Sequence, residues 1–358
     1  MTATDLSIIS AHAAQAEKDK RLTSEQLEVL HRTQAFKALV PKAYGGLELP
    51  LPEVVRLEES IARADGSTGW VMTLCAGAGW FGGFMDPTFA KQIFADDKAC
   101  LAGSGASTGT AEINVDGYLV NGRWQYASGA PDATVFTANC IITKNGVPVK
   151  NSDGTKQILA FAFLREEVRL LPEWNSVGMI ATASYNYAVK DLPVSKERSF
   201  KIDGKSAVIK APLYYYPFLQ LAEATLAANI LGLGLHFIEL AGKVLNQKIE
   251  TKELPDINAD IFRAAIDEVS KQLEVSRNEL YRALDTSWAQ SETSGVVDKD
   301  LLAAVSKTSR AVAKTAVQGV DRLYPYCGLR SANLSTDINR VWRDLHTASQ
   351  HGLLVFER

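Results

Sequence analysis

The residues best placed to do chemistry together lie in Ser335–His351. Arg340, Asp344, Thr347 and His351 recur at i, i+4, i+7 and i+11, which sets an ion pair, a hydroxyl and an imidazole on one line of a helix. The segment reads as a short amphipathic helix. Ser335, Thr336 or Asp337 can cap its start, and Ile338, Val341, Leu345 and Ala348 form its apolar stripe. A surface helix has no need of such a line, so a site is one reading. A solvated face with an ordinary i,i+4 Arg–Asp pair is the other.

Other stretches carry chemistry of their own. Gly103–Thr110 is small and polar, and its hydroxyls and N–H groups suit a phosphate or an isoalloxazine edge, or else a plain loop before a strand. Trp70 and Trp80 flank a glycine-rich helix and can stack on an aromatic ligand or pack in a core. Trp124 with Ser128-Gly129 reads as a β wall with one polar handle, or as a packed Trp and a turn. Gly232-Leu233-Gly234 lacks the third glycine and preceding strand of a dinucleotide fingerprint and reads as close helix packing. The sequence holds no P-loop, no His-x-x-x-His pair, no Gly-x-Ser-x-Gly elbow and no metal-ligand cluster. Cys75, Cys100, Cys140 and Cys327 lack metal or redox spacing and are expected as free thiols in a reducing cytoplasm.

The elements that must position these residues fall into three stretches within 358 residues of ordinary globular composition, 46% hydrophobic and 22% charged. Net charge is −3 with no Lys/Arg block, which argues against a nucleic-acid surface. The N-terminus lacks a basic region followed by an apolar core, so no signal peptide is expected. Residues 1–98 read as helical, with starts near Asp5, Thr23 and Pro52, a break at Asp65–Gly69, and a new helix from Trp70. Residues 99–210 alternate in short runs separated by Asp116-Gly117, Asn121-Gly122, Asn145-Gly146 and Asp153-Gly154. This predicts an antiparallel β-barrel domain, with a hairpin turn at Asn121-Gly122. Residues 211–358 return to helices: Phe218–Gln247, Asn258–Trp288, Lys299–Leu323 and the C-terminal segment, a four-helix bundle. The apolar run Leu219–Leu245 carries Glu223, Asn229, His236 and Glu239, each costly in lipid, so a buried helix is expected rather than a membrane span.

A helical domain, a β-barrel domain and a four-helix bundle, in that order, resemble the acyl-CoA dehydrogenase fold, an α+β architecture. Three stretches carry the resemblance: Arg63–Trp70 is similar to the family's N-domain helix break, Tyr118–Gly129 to its flavin-wall hairpin, and Trp174–Ser184 with Val194–Arg198 to its second flavin-side loop and exit strand. The tail Trp342-Arg343-Asp344-Leu345-His346-Thr347-Ala348-Ser349-Gln350-His351 resembles the Trp-Arg-Asp-x-His-x-x-x-x-His segment of the family's two-component flavin monooxygenases. The resemblance implies reduced FMN or FAD from a separate reductase, O2 as co-substrate, a C4a-hydroperoxyflavin, and hydroxylation of a small aromatic substrate. It implies that His351 faces flavin and substrate and orients or deprotonates the substrate, and that Ser128 bonds near flavin N5. Trp70, Ser104, Ala106 and Thr108 would line the isoalloxazine, with Ser331 to Asn333 approaching from a neighbouring subunit of a cytoplasmic homotetramer. Trp80 and Tyr215 would line the substrate pocket or its entrance.

The dehydrogenase branch is the rival reading. Its base commonly precedes the last helix, where this chain has Ser335 and no carboxylate from Arg330 to Ser335; Glu223 or Glu239 would have to stand in. A non-catalytic flavin- or ligand-binding relic is the third reading. Two departures from the monooxygenase pattern stand out. Ala78 replaces a further His that phenol hydroxylases of the branch often carry, which favours a larger or less polar aromatic. The chain ends seven residues after His351, from which a more open site or altered oligomer contacts are expected.

Overall fold

The computed structural model describes residues 1–357. Local chemistry sets most helix starts. Capping boxes pair Thr2 with Asp5 ahead of α1 (Ala3–Asp19) and Thr23 with Gln26 ahead of α2 (Ser24–Arg32). α3 (Leu51–Ala64) carries Pro52 in its first turn, where a missing N–H costs nothing. Asp65 ends α3 and caps α4 (Gly66–Gly79), accepting from the Thr68 N–H at 2.9 Å. The expected break at Asp65–Gly69 is therefore one residue wide: Gly66–Gly69 form the first turn of α4. α5 (Pro87–Phe94) closes the first helical stretch.

The middle of the chain forms one sheet of eight strands: β1 (Leu101–Ile113), β2 (Gly117–Ala127), β3 (Val135–Lys144), β4 (Val147–Pro148), β5 (Ile158–Leu164), β6 (Arg169–Leu171), β7 (Tyr185–Ser195) and β8 (Ser199–Phe200). Their order is β6-β7-β2-β1-β3-β5-β8, with β4 on β3. Two features correct the expected antiparallel barrel. β3 pairs with β1 in parallel, because β2 returns on one side of β1 and β3 on the other. The two outermost strands, β6 and β8, do not pair, so the sheet is mixed and open. The hairpin turn also moves. β2 runs straight through Asn121-Gly122, and the β1–β2 turn lies at Asn114–Asp116, closed by Asn114 N–H donating to Gly117 O. Gly122 is small for another reason: a Cβ there would meet Trp124 Cη2 at 2.4 Å. Gly103–Thr110, expected as a loop, lies within β1 and bulges between Ser104 and Gly109.

Helices then return: α6 (Pro212–Tyr215), α7 (Phe218–Glu250), α8 (Asp256–Ser294), α9 (Lys299–Cys327), α10 (Leu329–Ala332), α11 (Asp337–Ala348) and α12 (Gly352–Val355). α7 is long and apolar enough to span a bilayer, but 78% of its most apolar window is buried among other elements. It packs against α3 and α4 on one side and α8, α9 and α11 on the others. Gly232 allows the α3 approach, since a Cβ there would stand 2.5 Å from Glu59 O. All four cysteines are buried and free.

Candidate active site

α4 is the rail on which the candidate site is built. Successive turns present Thr73 and Leu74, then Gly77 and Ala78, and Phe81 follows just beyond the helix end, while Trp70, one turn earlier, meets the His351 ring. Facing them are Gly103–Gly105 of β1 and the face of α7 that carries Leu221, Ala222 and Thr225. Together they enclose a cavity of about 220 Å³, closed at one end by His351 and Leu353.

His351 reaches the cavity by a route the sequence did not show. α11 ends at Ala348, so His351 lies beyond it and caps α12, its Nδ1 accepting from Leu353 N–H at 3.4 Å. That bond places the ring proton of the neutral form on Nε2. The ring meets Trp70 edge-on, with centroids 6.0 Å apart.

The expected line of four side chains is therefore replaced by separate duties. Arg340 pairs with Asp337 at 2.8 Å rather than with Asp344. Thr347 bonds back to Arg343 O. Asp344 is buried and accepts from Met179 N–H. Burial pushes its carboxyl up to about 7, helped by the charge of nearby Asp65, while the Met179 N–H and Arg340 pull the other way. Arg343 donates to Val177 O at 2.9 Å and to Asn339 at 2.7 Å, and pairs with Glu17 at 2.6 Å. Arg343 and Asp344 thus pin residues 177–179 to α11 and act as positioning residues.

The pinned loop holds a buried hydroxyl chain. Thr182 Oγ1 donates to Met179 O at 2.8 Å, Ser184 lies 2.7 Å from Thr182, and Ser128 lies 2.8 Å from Ser184. Because Thr182 spends its proton on the carbonyl, the bonds run Ser128 to Ser184 to Thr182, leaving lone pairs of Ser128 Oγ available to a further donor.

The remaining expected residues fall in different places. Ser104 lines the cavity, and Gly105, Ala106 and Thr108 continue along β1 as an exposed shelf of small side chains. Trp80 does not line the cavity. It is buried, donates to Leu213 O at 2.8 Å and stacks on Phe218, while Phe81 takes the position facing the cavity. Tyr215 is half-buried away from the cavity, between fully buried Tyr214 and Tyr216. Ser331 is buried and bonded to Gly328 O at 2.7 Å, whereas Asn333 is exposed. Neither stand-in base reaches the site: Glu223 is buried against Arg310 and Ser306, and Glu239 pairs with Arg63 at the surface. Ser335 is exposed and bonded to Asn333.

Sequence reasoning missed Thr73, Phe81 and Glu58. Glu58 lies fully buried beside the Thr73 hydroxyl, the side-chain group set against its carboxyl. Desolvation raises Glu58 well above the usual carboxylate range, so it is held protonated. A Glu on the apolar face of α3 was a signal available in the sequence.

The surroundings fit a flat, reduced heteroaromatic cofactor. Ser104 lines the cavity, the exposed Ala106 and Thr108 leave a shelf of small side chains along β1, and Gly105 opens onto free space. At about 220 Å³ the closed cavity is sized for a small ligand alone, which leaves the shelf for a planar ring.

Residues 224–356 match the profile of the acyl-CoA dehydrogenase C-terminal domain family. The chain is 23% identical to an indole-3-acetate monooxygenase of Pseudomonas putida, over 96% of this chain and 87% of the relative. It is 26% identical to the oxygenase subunit HsaA, a flavin-dependent monooxygenase of Mycobacterium tuberculosis, over 94% and 87%. Among solved structures, XiaF from a Streptomyces species, in complex with FADH2 and glycerol, superposes with a TM-score of 0.85 at 19% identity, over 98% of this chain and 90% of that one.

Proposed function

We propose that this chain, a member of the acyl-CoA dehydrogenase-like flavoproteins of the two-component monooxygenase kind, is the oxygenase component of such a system. It takes reduced FMN or FAD from a separate reductase and transfers one atom of O2 to a small aromatic substrate. The observation that carries this reading is His351 at the mouth of a small, mainly apolar cavity where no carboxylate stands among the described lining residues. A dehydrogenase needs a carboxylate base there, and Glu223 and Glu239 are engaged elsewhere.

Bound reduced flavin supplies the electrons that activate dioxygen. The chain's own residues do the rest. Ser128, Ser104 and the β1 shelf at Ala106 and Thr108 hold the ring edge, and Trp70 backs it beside His351. His351, whose Nδ1 accepts from the Leu353 N–H, orients the substrate at the cavity. The apolar walls keep bulk water from the reacting centre. The reading divides the chain into a helical part (1–98), a sheet part (99–210) and a helical bundle (211–358). It places the protein in the cytoplasm as a homotetramer, with exposed Asn333 reaching towards a neighbouring subunit while Ser331, buried and bonded to Gly328 O, braces the segment.

The test is to add reduced flavin anaerobically, then isotopically labelled dioxygen with a panel of aromatics. Label in the product supports the reading. Tight oxidised FAD that bleaches with an acyl-CoA would replace it with the dehydrogenase.

A further inference from the structure

The cavity walls are uncharged. Among the described lining residues there is no Lys, Arg, Asp or Glu, and His351 at the mouth is the one titratable side chain. The far end is hydrocarbon: Ala78, Phe81, Ile202, Phe218 and Leu221. Behind the wall at Thr73 lies the second observation. Glu58 is completely buried beside the Thr73 hydroxyl, and burial raises its carboxyl well above the usual carboxylate range. A carboxylate entering the cavity would lose its hydration without meeting a Lys or Arg, and the buried, protonated Glu58 behind Thr73 supplies no compensating charge. An amide of the same shape loses less, because a neutral polar group costs less to desolvate than an anion.

Resting on the monooxygenase reading for its reaction but on the cavity alone for its selectivity, we propose that this site takes uncharged aromatic substrates and rejects those that bear a carboxylate. The walls at Ala78, Phe81 and Thr73 set that choice. The named P. putida relative acts on indole-3-acetate, which carries a carboxylate, so the two proteins would differ in substrate charge class.

The experiment compares ligand pairs that differ in charge but hardly in shape: indole-3-acetamide against indole-3-acetate, and benzamide against benzoate. Binding is measured calorimetrically at neutral pH on the full chain without flavin. We expect each amide to bind at least tenfold more tightly than its carboxylate, a difference of about 1.4 kcal/mol. Ala78→Arg, which puts a cation in the wall, should shrink or reverse that ratio; if the variant does not fold, the wild-type ratios still decide. A carboxylate of either pair that binds as tightly as its amide overturns the proposal. So does failure of all four ligands to bind. Amide binding without oxygenation defeats the monooxygenase reading and leaves the selectivity standing, whereas turnover of the carboxylates does the reverse.

Discussion

The direction of hydrogen bonds at single residues decides what the site can recognise. The Met179 carbonyl takes the Thr182 proton, which turns Ser184 and then Ser128 into donors along a buried chain. Ser128 therefore offers an acceptor outward. In the proposed cofactor site, that acceptor matches the N5–H of a reduced flavin and mismatches the bare N5 of an oxidised one. Ser184→Ala frees the Ser128 hydroxyl to rotate and donate. The expected outcome is a preference for reduced over oxidised FMN narrowed by about tenfold, the worth of one hydrogen bond, read from anaerobic and aerobic fluorescence titrations. Asp344 gives a second residue-scale prediction. Its folded-state pKa is raised from 3.8 to about 7, so folding favours the protonated form. The stability this contributes is fully present below the unfolded value and is lost as pH rises through about 7. Asp344→Asn keeps an oxygen for the Met179 N–H and removes the titration. Denaturant unfolding of the wild type should then weaken from about pH 5 to about pH 8 by a few kcal/mol, at roughly 1.4 per pKa unit, while the variant stays flat. A parallel decline in both would show that Asp344 is not the group responsible.

Between elements, the decisive contact is the seating of the 172–184 loop on α11. Gly178 lies against the α11 backbone, and a Cβ there would stand 2.1 Å from Arg343 O and 2.6 Å from Asp344 N. Backbone cannot yield as a side chain tip can. Gly178→Ala should destabilise the fold by about 1–3 kcal/mol and, by unseating Met179, loosen the hydroxyl chain, which weakened flavin binding would report. A variant with unchanged stability and unchanged flavin affinity would contradict this seating. This contact also marks what the sequence could and could not disclose. Helix starts near Thr23 and Pro52 were legible because a local side chain or proline dictates each one, whereas the first, expected near Asp5, falls two residues earlier at Ala3 behind the Thr2 cap. The buried nature of α7 was legible from its polar residues. Asn121-Gly122 misled because a glycine demanded by Trp124, a neighbour in space, has the same letters as a turn. The Arg340-to-His351 line misled because helical spacing was extended three residues past Ala348, where the helix stops. Ser128 and His351 were named from the resemblance of their stretches to a known family; Glu58 was open to notice as a Glu on the apolar face of α3, but its place beside Thr73 becomes visible only once α3 and α4 are packed side by side.

At the scale of the whole molecule, the apolar surface that remains uncovered bears on assembly. α7 buries its apolar sides against six other helices, so the fold's interior is closed around it. The stretch from α10 to the start of α11 is different: Leu329 is 90% exposed and Leu334 72% exposed, and between them lie Ser331 and Asn333. Two leucines left in water on one short segment are costly in a lone subunit and ordinary at a subunit boundary. This is the segment expected to approach a neighbouring active site in the proposed homotetramer. Replacing both, Leu329→Glu with Leu334→Glu, alters no residue of the cavity and touches no core packing. Light scattering should find the wild type at four times 38.9 kDa and the double variant at a smaller assembly or a monomer. If Asn333 completes the cofactor site from across the boundary, the variant should also bind reduced flavin more weakly, with its melting transition still cooperative. A wild type that runs as a monomer would end the tetramer reading and confine the flavin site to the residues of one chain.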